Sequence, residues 1–403
     1  MLKKISVQHV RQGMFLHRLE GSWLESPFWR RAFVIQDEAI VDSLRGSGIQ
    51  EIWIDISRGL DVQEAPAPQP QAEEAAPPPA AAAPAGAPAR IPLHEEIARA
   101  REICAQGRDR VASMFAEIRM GRAIDTGEAV SLVDEISSSI SRNPGALLGM
   151  ARLKSVDDYT YMHSVAVCGL MVALGTQLGL PPEDIREAGL AGLMHDVGKA
   201  LMPVDVLNKP GSLTEEEFAT MKRHADKGWA LLKKGGAVSD AVQKVALHHH
   251  ERWDGSGYPQ RLAGEQISLF ARMGAICDVY DAITSKRPYK NPWDPAHAVR
   301  QMARWKGHFD PTLFQHFIRS LGIYPIGSLV RLASGYLAVV CEQTPAALLT
   351  PTVKAFYEVS RQRSIEPRRI DLAAGGEAAE RIVAVEDPAQ WSFQGLDQLW
   401  IES

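Results

Sequence analysis

Cysteine is scarce in this chain, with four residues in 403, at Cys104, Cys168, Cys277 and Cys341. No CxxC pair occurs, so a zinc ribbon or a disulfide frame is not expected, and reduced thiols point to a reducing compartment, the cytoplasm. Long apolar runs are also lacking. No stretch of about 18 apolar residues appears, which excludes a membrane-spanning helix, and the opening MLKKISVQHVRQGMF has no signal-peptide core. Basic excess is the third absence: 44 Lys and Arg face 49 Asp and Glu, a formal charge of -5. That balance argues against a nucleic acid polymer as partner but leaves room for a local basic pocket that takes one anionic small molecule. The rest is ordinary globular composition, 45% hydrophobic and 23% charged, enough for two or three cored domains.

Residues 64–89, EAPAPQPQAEEAAPPPAAAAPAGAPA, break the chain. Repeated proline removes amide donors and no large apolar side chain is available for a core, so a partly extended linker is expected over 63–92. Residues 1–62 mix short β-like runs (ISV, AFVI, EIWIDI) with polar turns, and Trp23, Phe28 and Trp29 could fill the core of a small α+β domain. Over 93–322 the apolar spacing is helical, and Thr214 with Glu217 has the form of a capping box. IGSLVRLASGYLAVVCEQ alternates like strands, so 323–403 is expected to be a short β-rich extension. The expected fold class is therefore mainly α, with a small α+β domain before the helical bundle and a β-rich tail after it.

Hard metal ligands are strung through the helical region: His163, His195 and Asp196 in GLMHDVGKA, His224, the pair His249 and His250 in HHERWDGSGYP, and Asp278. One histidine on an apolar face is ordinarily a core residue satisfied by a single hydrogen bond. Five, with two aspartates, in one helical stretch suggest more. Imidazole nitrogens with carboxylate oxygens suit first-row divalent metals, and an aspartate flanked by histidine can bridge two ions, the donor set of two-metal hydrolysis.

MHDVGK, KPGSLTEEEF, HHERWDGSGYP and DVYDAITSKRPYK, in this order and at these intervals, resemble the HD-GYP family, a branch of the HD metal-dependent phosphohydrolases that degrades cyclic di-GMP. The resemblance spans residues 95–317 and implies an all-helical HD-type catalytic bundle. The segment ahead of the linker is similar to a small uncharacterised domain often found before HD-GYP modules. The resemblance implies His195 and Asp196 as metal ligands with Asp196 bridging, His163 and Asp278 completing one site, and His224, His249 and His250 supplying the second. It implies two divalent ions, iron or manganese.

Lys199 follows His195 by one turn and is expected beside the scissile phosphate. Arg287 and Lys290 in RPYK offer a guanidinium fork and an ammonium to phosphate oxygens, and Tyr258 offers an aromatic face to a purine. Asp254 and Asp281 are expected to orient imidazoles or cap helices. Some family members carry a glutamate where this chain has Tyr159, one turn before His163, and use it for a third ion; a neutral phenol argues for two. The implied activity is hydrolysis of cyclic di-GMP to pGpG, with onward hydrolysis to GMP left open, in bacterial signalling. A cyclic dinucleotide sensor without turnover and a hydrolase of another cyclic dinucleotide such as cyclic GMP-AMP are the alternatives. Signalling protein partners and self-association stay open at this level.

Overall fold

The computed structural model describes residues 2–19, 33–35, 41, 51–60, 91–154, 159–209, 211–285, 292–343, 348–374, 380–391, 393 and 395–402. Residues 63–90 of the expected linker, Trp23, Phe28 and Trp29, and both Arg287 and Lys290 lie outside the described residues. The chain divides into two compact units, Met1–Ala82 and Ala83–Ser403.

The first unit carries an antiparallel sheet of β1 (Leu2–Ser6), β2 (Phe15–Leu19), β3 (Phe33–Val34) and β4 (Glu51–Asp55) in the order β1-β4-β2-β3. Ile52 and Ile54 alternate inward along β4 and meet Ile5, Val10, Met14, Leu16 and Ile35, all buried, as the two-residue period of a strand requires. The sequence reading did not anticipate β2.

The second unit begins with α1 (Leu93–Arg119), α2 (Thr126–Arg142), α3 (Pro144–Arg152), α4 (Tyr159–Gln177) and α5 (Pro182–Met194). A 3-10 turn, Val197–Leu201, leads to α6 (Val204–Leu207), α7 (Glu215–Lys222), α8 (His224–Gly235), α9 (Asp240–His248), α10 (Leu269–Thr284), α11 (Pro295–Met302) and α12 (Pro311–Leu321). From Met162 to Gly175, α4 is buried on every face. A helix apolar all round belongs at the centre of a bundle, and α1, α2, α3, α5, α10 and α12 all pack on it. Helix starts follow local chemistry. The capping box of Thr214 and Glu217 is present at α7, and Asp294 and Asp310 cap α11 and α12 with proline at the first helical position.

After the bundle, β5 (Leu329–Leu332), β6 (Tyr336–Glu342), β7 (Thr352–Glu358), β8 (Arg363–Asp371) and β9 (Ile382–Val385) form an antiparallel sheet in the order β8-β7-β6-β5-β9. Leu329, Leu337, Val339, Cys341 and Phe356 point into the core shared with the helices. Their alternates Val330, Ala338, Val340, Val353 and Ala355 build a core on the other side. Trp400 in α13 (Gln398–Ile401) is fully buried. It packs so closely on α3 that a Cβ at Gly149 would lie 2.9 Å from its ring. The Asp294 carboxylate ties the two parts together by also accepting the Leu329 amide at 3.0 Å. No helix among the described residues is long and apolar enough to cross a membrane.

Candidate metal centre

The end of α5, the start of α8, the end of α9 and the middle of α10 converge beside α4. Gly198 makes part of this approach possible, because a Cβ there would lie 1.9 Å from the His224 carbonyl oxygen. Any side chain would push the 3-10 turn off α8 and separate Asp196 from His224.

All seven sequence-proposed ligands meet in this basin. His163, His195 and Asp278 place ligand atoms within 4.8 Å of one another, and so do His224, His249 and His250, and His195, Asp196 and His249. Asp196 stands between the clusters. Its Oδ2 is 3.2 Å from His195 Nε2 and 3.5 Å from His163 Nε2, while its Oδ1 is 3.3 Å from His224 Nε2 and 3.7 Å from His249 Nε2. Asp278 divides its oxygens as well, Oδ1 lying 3.0 Å from His163 Nε2 and Oδ2 lying 3.7 Å from His250 Nδ1.

The donor atoms fit a cation. Nδ1 of His224 donates to the Met221 carbonyl at 2.6 Å, and Nδ1 of His249 donates to the Val245 carbonyl at 3.0 Å. A carbonyl oxygen only accepts, so in each neutral ring the proton sits on Nδ1 and Nε2 carries a bare lone pair. These two Nε2 atoms face each other at 3.3 Å. Two lone pairs at that distance repel unless a positive centre lies between them. The same holding bond fixes His195, whose Nδ1 donates to the Gly192 carbonyl at 2.7 Å. Asp196 Oδ1 is buried and accepts no hydrogen bond, a costly state for a carboxylate oxygen that a metal would relieve. Backbone carbonyls and carboxylates behind the imidazoles are the usual outer support of metal-binding histidine.

Electrostatics point the same way. Burial opposes ionisation of Asp196, but the Lys199 ammonium and His195 outweigh it and hold the carboxyl well below its ordinary range. Asp278 is likewise held low against burial, chiefly by His163. Burial pushes His249 well down and His250 down to about 3, leaving both rings neutral and able to donate a lone pair. His195 is pulled upward despite its burial, by Asp196 and Asp278, so the carboxylates draw positive charge into the basin.

Around this centre, Lys199 Nζ donates to Asp196 Oδ2 at 2.5 Å and stays partly open to solvent. Tyr258 donates its amide to the His250 carbonyl, and its ring lies over the His250 imidazole with centroids 4.7 Å apart. The phenol thus covers a candidate ligand. Gly255 with φ +80° makes the turn that brings Tyr258 back. Tyr159 begins α4 and stacks on His163 at 5.5 Å and 13°. Asp281, expected as an anchor, accepts from His163 Nδ1 at 2.6 Å. Asp254 does not orient an imidazole: it is exposed and accepts the Ser256 amide at 2.9 Å in a local turn.

Two supporting residues escaped the sequence reading. Lys154 is fully buried at its side chain and donates to Asp281 Oδ2 at 2.5 Å, so a lysine, an aspartate and a histidine form one line into the centre. Glu251, also buried, accepts the amides of Gln260 at 2.7 Å and Leu262 at 3.1 Å and so holds the loop that carries Tyr258. An acid directly after two histidines was the available signal for Glu251; Lys154, in ARLKS, offered none.

Comparison with known proteins adds to this geometry. The HD domain family matches residues 136–313, and a domain of unknown function, DUF3391, matches residues 2–129. A cyclic di-GMP phosphodiesterase of Pseudomonas aeruginosa is 52% identical over 402 residues, 99% of this chain and 96% of that protein. A cyclic di-GMP phosphodiesterase response regulator of Xanthomonas campestris is 45% identical over 36% of this chain and 38% of its own length. A 3'3'-cGAMP-specific phosphodiesterase of Vibrio cholerae is 41% identical over 34% of this chain and 27% of its own length.

Proposed function

This chain belongs to the HD-GYP family of HD-domain, metal-dependent phosphohydrolases, and from that premise we propose that it hydrolyses cyclic di-GMP to the linear dinucleotide pGpG at two divalent ions, iron or manganese. The observation that carries this reading is the carboxylate of Asp196, with one oxygen toward His163 and His195 and the other toward His224 and His249. One ion would be held by His163, His195, Asp196 and Asp278, the other by Asp196, His224, His249 and His250. Metal held there supplies Lewis-acid activation of water and neutralises charge on the phosphate.

The remaining work falls to the protein. Backbone carbonyls behind His195, His224 and His249 keep each Nε2 unprotonated, and Asp281 with Lys154 keeps His163 in register. Lys199 Nζ, paired with Asp196 and partly open to solvent at the edge of the basin, suits a non-bridging phosphate oxygen and the leaving oxygen as it gains a proton. The reaction adds water across one ring P–O bond, the phosphorus keeping the water oxygen and the ribose oxygen taking a proton. Arg287 and Lys290 are proposed as further phosphate donors and Tyr258 as the aromatic lip of the site. Four buried cysteines outside any disulfide suit a reducing cytoplasm.

The test is anaerobic purification, elemental analysis and chromatography of products from cyclic di-GMP and 3'3'-cGAMP. Two ions per chain with pGpG as the main product support the reading; metal-independent binding without turnover, or turnover of 3'3'-cGAMP alone, defeats it.

A further inference from the structure

We propose that Lys222 anchors the second, non-scissile phosphate of the cyclic dinucleotide at the rim of the metal centre, an inference that rests on the functional reading above. Lys222 ends α7, two residues before His224, and is half-buried. Its Nζ lies 4.5 Å from the ring centroid of Phe218 and 5.3 Å from that of Tyr258. The Tyr258 ring in turn packs on His250 at 4.7 Å. The ammonium therefore stands one aromatic ring away from an imidazole of the basin.

The neighbouring lysines are already engaged, Lys199 with Asp196 and Lys154 with Asp281, and Lys209 pairs with Glu217 of α7 itself. Lys222 has no carboxylate partner among the described residues. Aromatic faces hold a cation in place without neutralising it, so its charge remains available to an anion. Phe218 beside it is 48% exposed, a large ring left in water on the same rim.

Substrate chemistry calls for a cation there. A cyclic dinucleotide carries two phosphodiesters in one ring, and only one can occupy the histidine basin while it is hydrolysed. The other remains charged near the carboxylates of Asp196 and Asp278, where an unpaired anion is unfavourable and a compact ammonium suits it.

Steady-state kinetics on cyclic di-GMP and on bis(p-nitrophenyl) phosphate, which has one phosphodiester, test the assignment. Lys222→Ala should raise KM for cyclic di-GMP about tenfold with kcat changed less than about threefold, the loss expected for one charge-assisted hydrogen bond. The fall in kcat/KM should exceed that for bis(p-nitrophenyl) phosphate by about tenfold, and Lys222→Arg should restore most of it. Phe218→Ala, which removes one of the faces that hold the ammonium, should shift the same KM by a smaller factor. Equilibrium binding of cyclic di-GMP to metal-free protein should weaken in parallel and become less sensitive to salt than in the wild type. Equal losses on both substrates, or a KM for cyclic di-GMP within about twofold of wild type, would overturn the assignment. If the wild type cleaves bis(p-nitrophenyl) phosphate but not cyclic di-GMP, the functional reading falls, and Lys222 is judged by the same ratio on 3'3'-cGAMP, which also carries two phosphates.

Discussion

Lys154→Met removes an ammonium from Asp281 while keeping most of the side chain's bulk. The pair is fully interior, with side-chain exposures of 0% and 4% and a separation of 2.5 Å. Removing one member of such a pair costs about 3–5 kcal/mol, because the other charge stays behind in a medium that solvates it poorly. Asp281 would still accept from His163 Nδ1 at 2.6 Å and from the Ser285 hydroxyl at 3.2 Å. Those two bonds put the expected loss near the lower limit, about 3 kcal/mol. Urea unfolding of metal-free protein, followed by helical circular dichroism, measures it without a contribution from bound ions. Because Asp281 steadies His163, metal affinity should fall about 10–100-fold as well. The double variant Lys154→Met/Asp281→Asn removes both charges and should recover at least about 1 kcal/mol relative to the sum of the single losses. A single-variant loss below about 1 kcal/mol with unaltered metal affinity would refute the reasoning.

Asp196→Asn should abolish turnover and reduce bound metal while the far-ultraviolet dichroism keeps its helical form, since that carboxylate serves both clusters; retained metal and rate would remove it from the centre. Elemental analysis should give two ions for the wild type, and Tyr159→Glu, with a carboxylate beside His163, should gain a third; three ions in the wild type would contradict the count. Glu251→Ala leaves two loop amides without their acceptor and should cost about 2–4 kcal/mol in denaturant unfolding, with a raised KM for cyclic di-GMP as Tyr258 loses its support. Burial holds the His308 imidazole down at about 4, with Arg252 adding to the effect. Its contribution is therefore complete above the unfolded value near 6.5 and is lost as pH falls through about 4. His308→Phe keeps the stack between Trp305 and Phe309. After allowance for partial exposure it should lose about 2 kcal/mol less than wild type between pH 7 and pH 4, and equal acid losses would show that His308 does not drive them.

The candidate metal ligands were legible because imidazole and carboxylate recur together inside apolar helical text, where a single histidine would be an ordinary core residue. The capping box at Thr214 and the strands around Leu329 and Tyr336 could be read for the same reason, each depending on neighbours close in sequence. Lys154 could not. Its partner Asp281 comes from a helix far along the chain, and nothing in ARLKS distinguishes a buried lysine from a solvated one. Lys222 looked equally ordinary, since its setting is made by Tyr258 from another loop. Asp254 was misjudged because an aspartate before Gly-Ser-Gly serves a local turn as readily as a distant imidazole. The division of the Asp196 oxygens between two clusters is a three-dimensional fact that spacing alone could suggest but not orient.

The contact of Trp400 with Gly149, and the reach of Asp294 to the Leu329 amide, bear on how this unit folds. Helical bundles usually fold quickly because most of their contacts are local. Here α3 is sealed by an indole from the far end of the same unit, and the helical core borrows Leu329, Val339, Cys341 and Phe356 from a sheet that follows it. Much chain must be ordered before those contacts form, and closing long loops slows a search even when the final state is stable. The basin is assembled from segments spread across the same stretch, so high-affinity metal uptake should accompany the late steps of folding, and the arrival of tightly bound metal becomes a clock for the last part of the fold to close.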